Sequence, residues 1–244
     1  MRQSAARRDG AVIFDMDGVL LDTERIYTEA TQLIVGRFGK TYNWTVKGHM
    51  IGRPAMDSAR YLVQALDLPI TPEVYLAERA VLFETLMPSA EPMPGARELT
   101  AALAARGVPM AVATSSARDV FALKTVRHRE WFATFDTVVL GDDPLVRRGK
   151  PAPDIFLLAA SRLGIQADRC VVIEDAPAGV EAAKAAGMHV VAVPDPAMEP
   201  TRFGQADMIV ASLRDLDPDV LVRQRARALD VGSNFGVERR PRRS

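Results

Sequence analysis

The sequence of 244 residues has little of several features that define whole classes of protein. Its only cysteine, Cys170, has no partner for an internal disulfide, so we interpret it as a small core side chain in a reducing compartment. No apolar run approaches the roughly 18 residues of a membrane span, and the segment MRQSAARRDG has no apolar stretch typical of a secretory signal. The sequence therefore predicts a cytoplasmic protein that does not enter a membrane.

An excess of charge of either sign is also missing, because 31 basic and 31 acidic residues cancel. The body of the chain thus offers no general electrostatic surface for nucleic acid, and a small-molecule partner is predicted instead. The segment 223–244 is the exception, since it is rich in arginine, and we interpret it as a basic, disordered tail. A monomer or a weak dimer is expected.

What the sequence does contain is a series of short, β-branched runs separated by segments of helical spacing. The runs are AVIF, PMAVAT, TVVL, CVVI, HVVAV and DMIV, and each is typical of a strand buried on both faces. Segments such as GARELTAALAARG end at glycine, where a helix C-cap is expected. Alternation of such strands and helices predicts an α/β fold with a doubly wound parallel sheet.

The region 21–91 differs from the rest of the chain. It has long amphipathic patterns, such as PEVYLAERAVLFETLM, and no convincing strand run, so we predict an inserted α-helical cap subdomain there. The α/β core would then consist of residues 1–20 and 92–222. The proline-rich segment PSAEPMPG would return the chain from the cap to the core.

Polar residues directly follow three of the predicted strands. They are Asp15 and Asp17, then Thr114 and Ser115, then Glu174 and Asp175. In an open parallel sheet the ligand crevice lies outside the carboxyl ends of the strands, so these side chains are expected at one edge. Repulsion among four carboxylates calls for a cation, and hard oxygen ligands suit Mg²⁺. Lys150 adds a second positive charge, and hydroxyl groups near a helix N-terminus favour an anion, so the parts predict a phosphate site.

The order Asp15-x-Asp17-Gly18, then Thr114, Lys150 and Glu174-Asp175, resembles the four motifs of the haloacid dehalogenase superfamily. This resemblance covers the body of the chain to about residue 221. Within the superfamily, the segments DGVLLDTERIY, VVLGDDPLVRRGKPAPDIF and IEDAPAGVEAAKAAGM resemble the pseudouridine-5'-phosphatase and plant-type glycerol-3-phosphatase branch. The resemblance implies a Mg²⁺-dependent phosphatase of small phosphate monoesters, with a helical cap that closes over the leaving group.

The resemblance also implies a role for each motif residue. Asp15 would attack phosphorus and become an aspartyl phosphate, while Asp17 would protonate the leaving oxygen and then activate water. Mg²⁺ would be held by the Asp15 carboxylate, the Asp17 backbone carbonyl and Asp175, with Glu174 bound directly or through water. The residues implied to hold the phosphoryl oxygens are Thr114, Ser115 and Lys150. Pseudouridine 5'-phosphate and glycerol 3-phosphate are the substrates that the resemblance favours.

Several residues outside the motifs have more than one interpretation. Arg53, in the predicted cap segment MIGRPAMDSAR, is either a specificity residue that contacts substrate or a solvated side chain. Lys124, Arg127 and His128 are predicted to share one helix and to form a polar face, with or without a role in binding substrate.

Two other functions use similar parts. A phosphosugar mutase of the β-phosphoglucomutase type resembles this chain in all four motifs, but its cap has an arginine for a second phosphate where this chain has Ala55. A phospho-acceptor signalling domain also combines an aspartate, a hydroxyl residue, a lysine and Mg²⁺. Its acceptor follows a middle strand and it has no helical insert, whereas Asp15 follows the first predicted strand here.

Overall fold

The central element of the fold is a parallel β-sheet. The computed structural model describes residues 10–50 and 55–221, and in this part of the chain the sheet has six strands. The strands are β1 (Ala11–Phe14), β2 (Met110–Ala113), β3 (Thr137–Val139), β4 (Cys170–Glu174), β5 (His189–Ala192) and β6 (Met208–Ile209). Their order is β3-β2-β1-β4-β5-β6, and every neighbouring pair is parallel. The predicted α/β fold is confirmed, and each of the six predicted runs contains a strand.

Helices connect the strands on both faces of the sheet. Between β1 and β2 lie α1 (Thr23–Gly36), α2 (Trp44–Met50), α3 (Ala55–Ala65) and α4 (Pro72–Leu86), followed by α5 (Ala96–Ala105). After β2 come α6 (Arg118–Thr125), α7 (Arg129–Phe132), α8 (Asp154–Leu163) and α9 (Pro177–Ala185). None of the helices in the described ranges is long and apolar enough to cross a membrane.

Strand β1 is apolar at every position because both faces of the sheet are covered. Val12 and Phe14 belong to one hydrophobic cluster, whereas Ala11 and Ile13 belong to a second cluster on the opposite face. Successive side chains of a strand point to opposite faces, so a strand between two cores must be hydrophobic throughout. The first polar side chain after the strand, Asp15, therefore lies where the two cores end.

Helices α1 to α4, called the helical insert below, pack around a core of their own. Ile34, Leu62 and Tyr75 are among the buried residues of this separate cluster. The hydroxyl groups of Tyr75 and Thr31 lie 2.9 Å apart inside it, which satisfies two buried polar groups that would otherwise cost free energy. The insert thus has a core of its own, while Ile26 of α1 and Leu86 of α4 pack into the main hydrophobic cluster.

The helix predicted to carry Lys124, Arg127 and His128 ends earlier than expected. Helix α6 stops at Thr125, and α7 begins only at Arg129, so a single helix through these three residues was wrong. His128 is buried, with its Nε2 atom 2.6 Å from the carbonyl oxygen of Ala90, and this contact holds the chain in a turn. Arg127 is exposed, so the three side chains do not form one polar face.

Candidate active site

The candidate site lies at the carboxyl ends of β1, β2 and β4, where the strand order reverses. The backbone N–H of Asp15 donates to the carbonyl oxygen of Ile173 at 2.9 Å, so the residue after β1 is still fixed to β4. Asp17 follows after one further residue and Asp175 follows the end of β4. Such a switch point forms a crevice in doubly wound folds, and the predicted residues are brought together in it.

Gly18 lets the β1 loop approach the β4 loop closely. Its φ angle is 75°, in the left-handed region that favours glycine. A Cβ atom at this position would lie only 2.1 Å from Oδ2 of Asp175. The Asp-x-Asp-Gly segment therefore ends in glycine because a side chain would displace the Asp175 carboxylate.

Lys150 connects two of the buried carboxylates. Its Nζ atom donates to Oδ1 of Asp15, to Oε1 of Glu174 at 2.6 Å and to the carbonyl oxygen of Ala113 at 3.2 Å. Burial lowers the pKa of Lys150, but the charges of Asp15 and Glu174 outweigh burial and hold this pKa above its ordinary value. The lysine is therefore a permanent positive charge at the centre of the site.

Glu174 is almost completely buried and fully occupied. Its Oε1 atom accepts from Lys150, and its Oε2 atom accepts from the backbone N–H groups of Asp175 at 2.9 Å and Ala176 at 3.0 Å. A Cβ atom on Gly179 would lie 1.7 Å from Oε1, so the first turn of α9 leaves room for this carboxylate. Both oxygen atoms of Glu174 therefore already accept hydrogen bonds, and one of these bonds fixes the position of Lys150.

Asp17 is held by a different set of donors. Its Oδ1 atom accepts from the Thr23 hydroxyl and from Lys124 Nζ, both at 2.6 Å. Its Oδ2 atom accepts from the Ser116 hydroxyl at 3.1 Å. Burial raises the pKa of Asp17, but the positive charge and the hydrogen bond of Lys124 outweigh burial and hold this pKa below its ordinary value.

Ser116 was not assigned to the site from the sequence, and Lys124 was considered only for a contact with substrate, not for one with Asp17. Ser116 follows the predicted pair directly, and Lys124 lies two turns further along α6. Part of the signal for Lys124 was present, because Phe121 lies three residues before it in the same short helix and packs against the core. A lysine at such a position is rarely buried without a charged partner.

Thr114 and Ser115 have different environments. Ser115 is exposed and lines the cleft described below, as expected for a residue that contacts phosphate. Thr114 is completely buried, and its hydroxyl oxygen accepts from the Ser116 backbone N–H at 3.1 Å. The Thr114 hydroxyl also lies 3.5 Å from Oδ2 of Asp17. Thr114 thus supports the loop after β2, and its predicted contact with a phosphoryl oxygen stays a prediction.

The charges of the site do not balance. The carboxylate cluster consists of Asp15, Asp17, Glu174 and Asp175, and the two ammonium groups are those of Lys124 and Lys150. The cluster therefore has a formal charge of minus two when all four carboxylates are ionised. One divalent cation would neutralise this charge, and the donors are all oxygen atoms, which suit Mg²⁺.

Two carboxyl groups show the effect of this imbalance. Burial raises the pKa of Asp15, Lys150 lowers it, and the other carboxylates raise it again, which brings the pKa to about 7. Burial and the charges of Glu174 and Asp15 also raise the pKa of Asp175 well above its ordinary value. The Asp175 carboxylate accepts no hydrogen bond from the described residues, so it is the oxygen ligand most available to a cation.

The residues present fit a sparsely ligated Mg²⁺ ion. Across the described ranges, no group of three or more His, Cys, Asp or Glu side chains converges closely enough to form a metal site by itself. Mg²⁺ does not require such a group, because it usually keeps several waters and binds one or two carboxylates. Asp15 and Asp175 would supply these carboxylates, and the Asp17 backbone carbonyl would supply a third oxygen.

A cleft of about 420 Å³ opens above the carboxylate cluster. The core side of the cleft includes Asp15, Lys150 and Ser115, and the helical insert contributes Trp44 and Lys47. Lys47 Nζ lies 3.1 Å from the Glu24 carboxylate and 5.2 Å from the centre of the Trp44 ring. Arg53 and the basic tail, 223–244, lie outside the residues that the structure describes, and their roles stay predictions.

Removing the central lysine is expected to destabilise the fold. In Lys150→Met the buried Asp15 and Glu174 would lose their charge partner, which typically costs about 3–5 kcal/mol of unfolding free energy. The loss should be larger at pH 8 than at pH 5, because the raised pKa of Asp15 lets this carboxyl group protonate at the lower pH.

Urea denaturation at both pH values measures this effect. Lys184→Met is the matched control, since Lys184 pairs with Asp207 at 2.8 Å in a partly exposed position. If Lys150→Met lost no more unfolding free energy than Lys184→Met, or if its loss did not depend on pH, the role of Lys150 as charge partner of the buried carboxylates would be contradicted.

Comparisons with known proteins identify the class to which this site belongs. The family model of the haloacid dehalogenase-like hydrolases matches residues 10–187. The chain is 45% identical over 213 residues to (DL)-glycerol-3-phosphatase 2 of Arabidopsis thaliana, a match that covers 85% of this chain and 89% of the relative. It is 44% identical over 222 residues to a probable pseudouridine-5'-phosphatase of Drosophila melanogaster, with 90% and 96% covered.

A solved structure with a similar fold agrees with this relationship. A haloacid dehalogenase family hydrolase from Deinococcus radiodurans R1, determined with bound phosphate and sodium, matches with a TM-score of 0.77 and 28% identity. The match covers 88% of this chain and 96% of that one. The protein therefore belongs to the haloacid dehalogenase-like hydrolase family. Within that family it is an enzyme, a phosphoric monoester hydrolase.

Proposed function

We propose that the protein is a Mg²⁺-dependent phosphatase that hydrolyses small phosphate monoesters through an aspartyl phosphate on Asp15. The position of Asp15 carries this proposal. Its carboxylate lines the cleft, Lys150 holds Oδ1, and Oδ2 accepts no hydrogen bond from the described residues. A buried carboxylate with one oxygen fixed and the other unoccupied is suited to attack a phosphorus atom placed in the cleft.

In the first step a carboxylate oxygen of Asp15 forms a bond to phosphorus, and the bond from phosphorus to the leaving oxygen breaks. Asp17 enters this step in its protonated form, although Lys124 lowers its pKa in the ligand-free site, and it donates that proton to the leaving oxygen, which departs as an alcohol. Ser115 lines the cleft where it can contact the phosphoryl oxygens. The positive charge of Lys150, whose N–H groups donate to Asp15, Glu174 and Ala113, matches the negative charge on those oxygens during transfer.

In the second step a water molecule attacks the phosphorus of the aspartyl phosphate. Asp17, now ionised, takes a proton from this water, and the bond between phosphorus and the Asp15 oxygen breaks. Inorganic phosphate leaves, and both aspartates return to their starting states. Bound Mg²⁺ would supply positive charge beside the phosphoryl oxygens and hold them in line for transfer.

The helical insert supports the assignment to small substrates. Trp44 and Lys47 form one side of the cleft, whose volume of about 420 Å³ suits a compact leaving group rather than a protein-sized one. We infer that the insert acts as a cap, which excludes water when it closes. Pseudouridine 5'-phosphate and glycerol 3-phosphate are the proposed substrates, because enzymes named for them are 44% and 45% identical to this chain.

Phosphate release from a substrate panel tests this proposal. The panel contains pseudouridine 5'-phosphate, uridine 5'-phosphate, glycerol 3-phosphate, 2-deoxyglucose 6-phosphate and β-glucose 1-phosphate, each with Mg²⁺. One of the two proposed substrates should lead in kcat/KM by at least about tenfold, which corresponds to about 1.4 kcal/mol of transition-state binding.

Other outcomes of the panel have distinct meanings. Conversion of β-glucose 1-phosphate to the 6-phosphate faster than any phosphate release would replace the phosphatase proposal with the mutase alternative. Slow hydrolysis of all five esters at similar rates would contradict the substrate assignment but not the chemistry. The Asp15→Asn variant, assayed in parallel, gives the background from contaminating phosphatases.

A further inference from the structure

Lys124 is a buried charge that the proposed reaction does not use. Its side chain in α6 is 1% exposed. A lysine is almost never buried to this extent without a partner, and the partner here is Asp17, whose Oδ1 atom lies 2.6 Å from Nζ. The other neighbours of Nζ are the Ser116 hydroxyl at 2.9 Å and the Tyr27 hydroxyl at 3.4 Å.

The surroundings of Lys124 place Asp17 between the lysine and the cleft. It does not line the cleft, whereas Asp17 and Lys150 do. Asp17 is the carboxylate that Lys124 contacts, so the ammonium group is not shared with a structural ion pair elsewhere in the described part of the chain. A substrate in the cleft would therefore meet Asp17 and not the lysine behind it.

Asp17 is held at both of its oxygen atoms. Lys124 and Thr23 donate to Oδ1, and Ser116 donates to Oδ2. Ser116 also accepts from Lys124, so the lysine, the hydroxyl and the carboxylate form a closed ring of hydrogen bonds. This ring fixes the plane of the carboxylate, and acid-base groups must be held to within about 0.5 Å and 10–20° of the productive geometry.

We propose that Lys124 is a positioning residue that fixes the direction in which Asp17 presents its carboxyl group to the leaving oxygen and to the hydrolytic water. This inference rests on the proposed function, in which Asp17 transfers a proton in each step. Lys124 keeps its own protons throughout. It fixes the geometry of the Asp17 side chain, in addition to the effect of its charge on the pKa of Asp17.

Lys124→Met tests the proposal, because methionine keeps most of the volume and removes the hydrogen bonds. Two substrates are compared: p-nitrophenyl phosphate, whose leaving group departs without a proton, and the alkyl phosphate that leads the panel. For the alkyl phosphate kcat/KM should fall about 100-fold, within the usual range for acid-base catalysis. For p-nitrophenyl phosphate kcat/KM should change less than about threefold, because it reports only the steps up to release of the leaving group.

The second step gives an independent readout. Hydrolysis of the aspartyl phosphate still needs Asp17 as a base, so kcat should fall for both substrates. In Lys124→Met, p-nitrophenol should therefore appear in a burst of about one equivalent per enzyme, followed by slow turnover. A general disturbance of the fold would lower kcat/KM for both substrates equally and would produce no burst.

Three further variants make the outcome decisive. Lys184→Met, which removes a lysine from the distant pair with Asp207, should behave as wild type. Ser116→Ala should also lower kcat/KM more for the alkyl phosphate than for p-nitrophenyl phosphate, but by smaller factors than Lys124→Met. If Lys124→Met does not fold, Ser116→Ala provides the test. Equal losses of kcat/KM on both substrates, or a raised KM with unchanged kcat, would overturn the positioning role. In Asp17→Asn the loss of kcat/KM should differ most between the alkyl phosphate and p-nitrophenyl phosphate. If Asp17→Asn lowers kcat/KM equally for both substrates, the proposed function itself would be overturned.

Discussion

Asp15→Asn is expected to lower kcat by at least about 10⁴-fold, because the amide cannot form an aspartyl phosphate. The variant should nevertheless fold. Asp15 is buried beside two other carboxylates, and its pKa of about 7 shows that ionisation there is unfavourable. Replacement by a neutral amide of similar volume removes part of this repulsion, while Lys150 keeps its contact with Glu174.

Two measurements check this expectation. Rapid quenching followed by mass spectrometry should find the phosphoryl group on the peptide containing Asp15 in the wild type and none in Asp15→Asn. Asp57→Asn serves as the matched control, since Asp57 lies in an exposed pair with Arg60 and should leave turnover unchanged. Wild-type turnover by purified Asp15→Asn would exclude Asp15 as the nucleophile.

Removal of divalent metal is expected to lower activity nearly as much as Asp15→Asn does. Treatment with EDTA should lower activity at least about 10³-fold, and added Mg²⁺ should restore it. The reason is that Lys124 and Lys150 neutralise only two of the four carboxylates of the cluster, which leaves a formal charge of minus two for a divalent cation. Full activity after exhaustive chelation would show that the metal assignment is wrong.

The same charge imbalance predicts how stability depends on pH. Because the pKa values of Asp15 and Asp175 are raised in the folded state, the metal-free fold binds more protons than the unfolded chain. The stabilising contribution of these two groups to the free energy of unfolding is fully present below their ordinary pKa of 3.8. It is lost as the pH rises through about 7, which is the pKa of Asp15 in the folded state. Mg²⁺ binds the ionised forms, so the rise in Tm that it produces should be larger at pH 8 than at pH 5.5.

Thermal unfolding with and without Mg²⁺ at the two pH values measures this linkage without any assay of activity. Asp175→Asn should remove most of the Mg²⁺ effect, whereas Asp57→Asn should retain it. A Tm increase that is equal at both pH values, or one that survives in Asp175→Asn, would contradict a site built on these carboxyl groups.

The sheet and the residues at its edge could be predicted because their signals are local. Each strand run is a few consecutive apolar residues, and a polar residue directly after such a run must lie where the two cores end. Asp15 and Glu174 therefore meet, although they are far apart in the chain, since β1 and β4 are neighbours. Lys150 was placed beside them only through its motif, and its hydrogen bond to Asp15 spans 135 residues.

The position of Lys124 could not be predicted in the same way. Its contact with Asp17 joins residues 107 positions apart, and it depends on the placement of Lys124 beside Tyr27 of α1. Local spacing shows that Lys124 lies on an inward face, but it does not show which carboxylate occupies that face. The break between α6 and α7 was missed for a similar reason, because the contact of His128 with Ala90 is also distant in sequence.

The separate core of the helical insert has a consequence for evolution. Ile34, Leu62 and Tyr75 support the insert from within, while Asp15 and Lys150 stand on the sheet and its loops. Mutations on the cleft side of α2 can therefore accumulate without disturbing the residues that we propose perform the chemistry. A change of substrate would then need new side chains only on that surface of the insert, while Asp15 and Lys150 would keep their positions on the sheet and its loops.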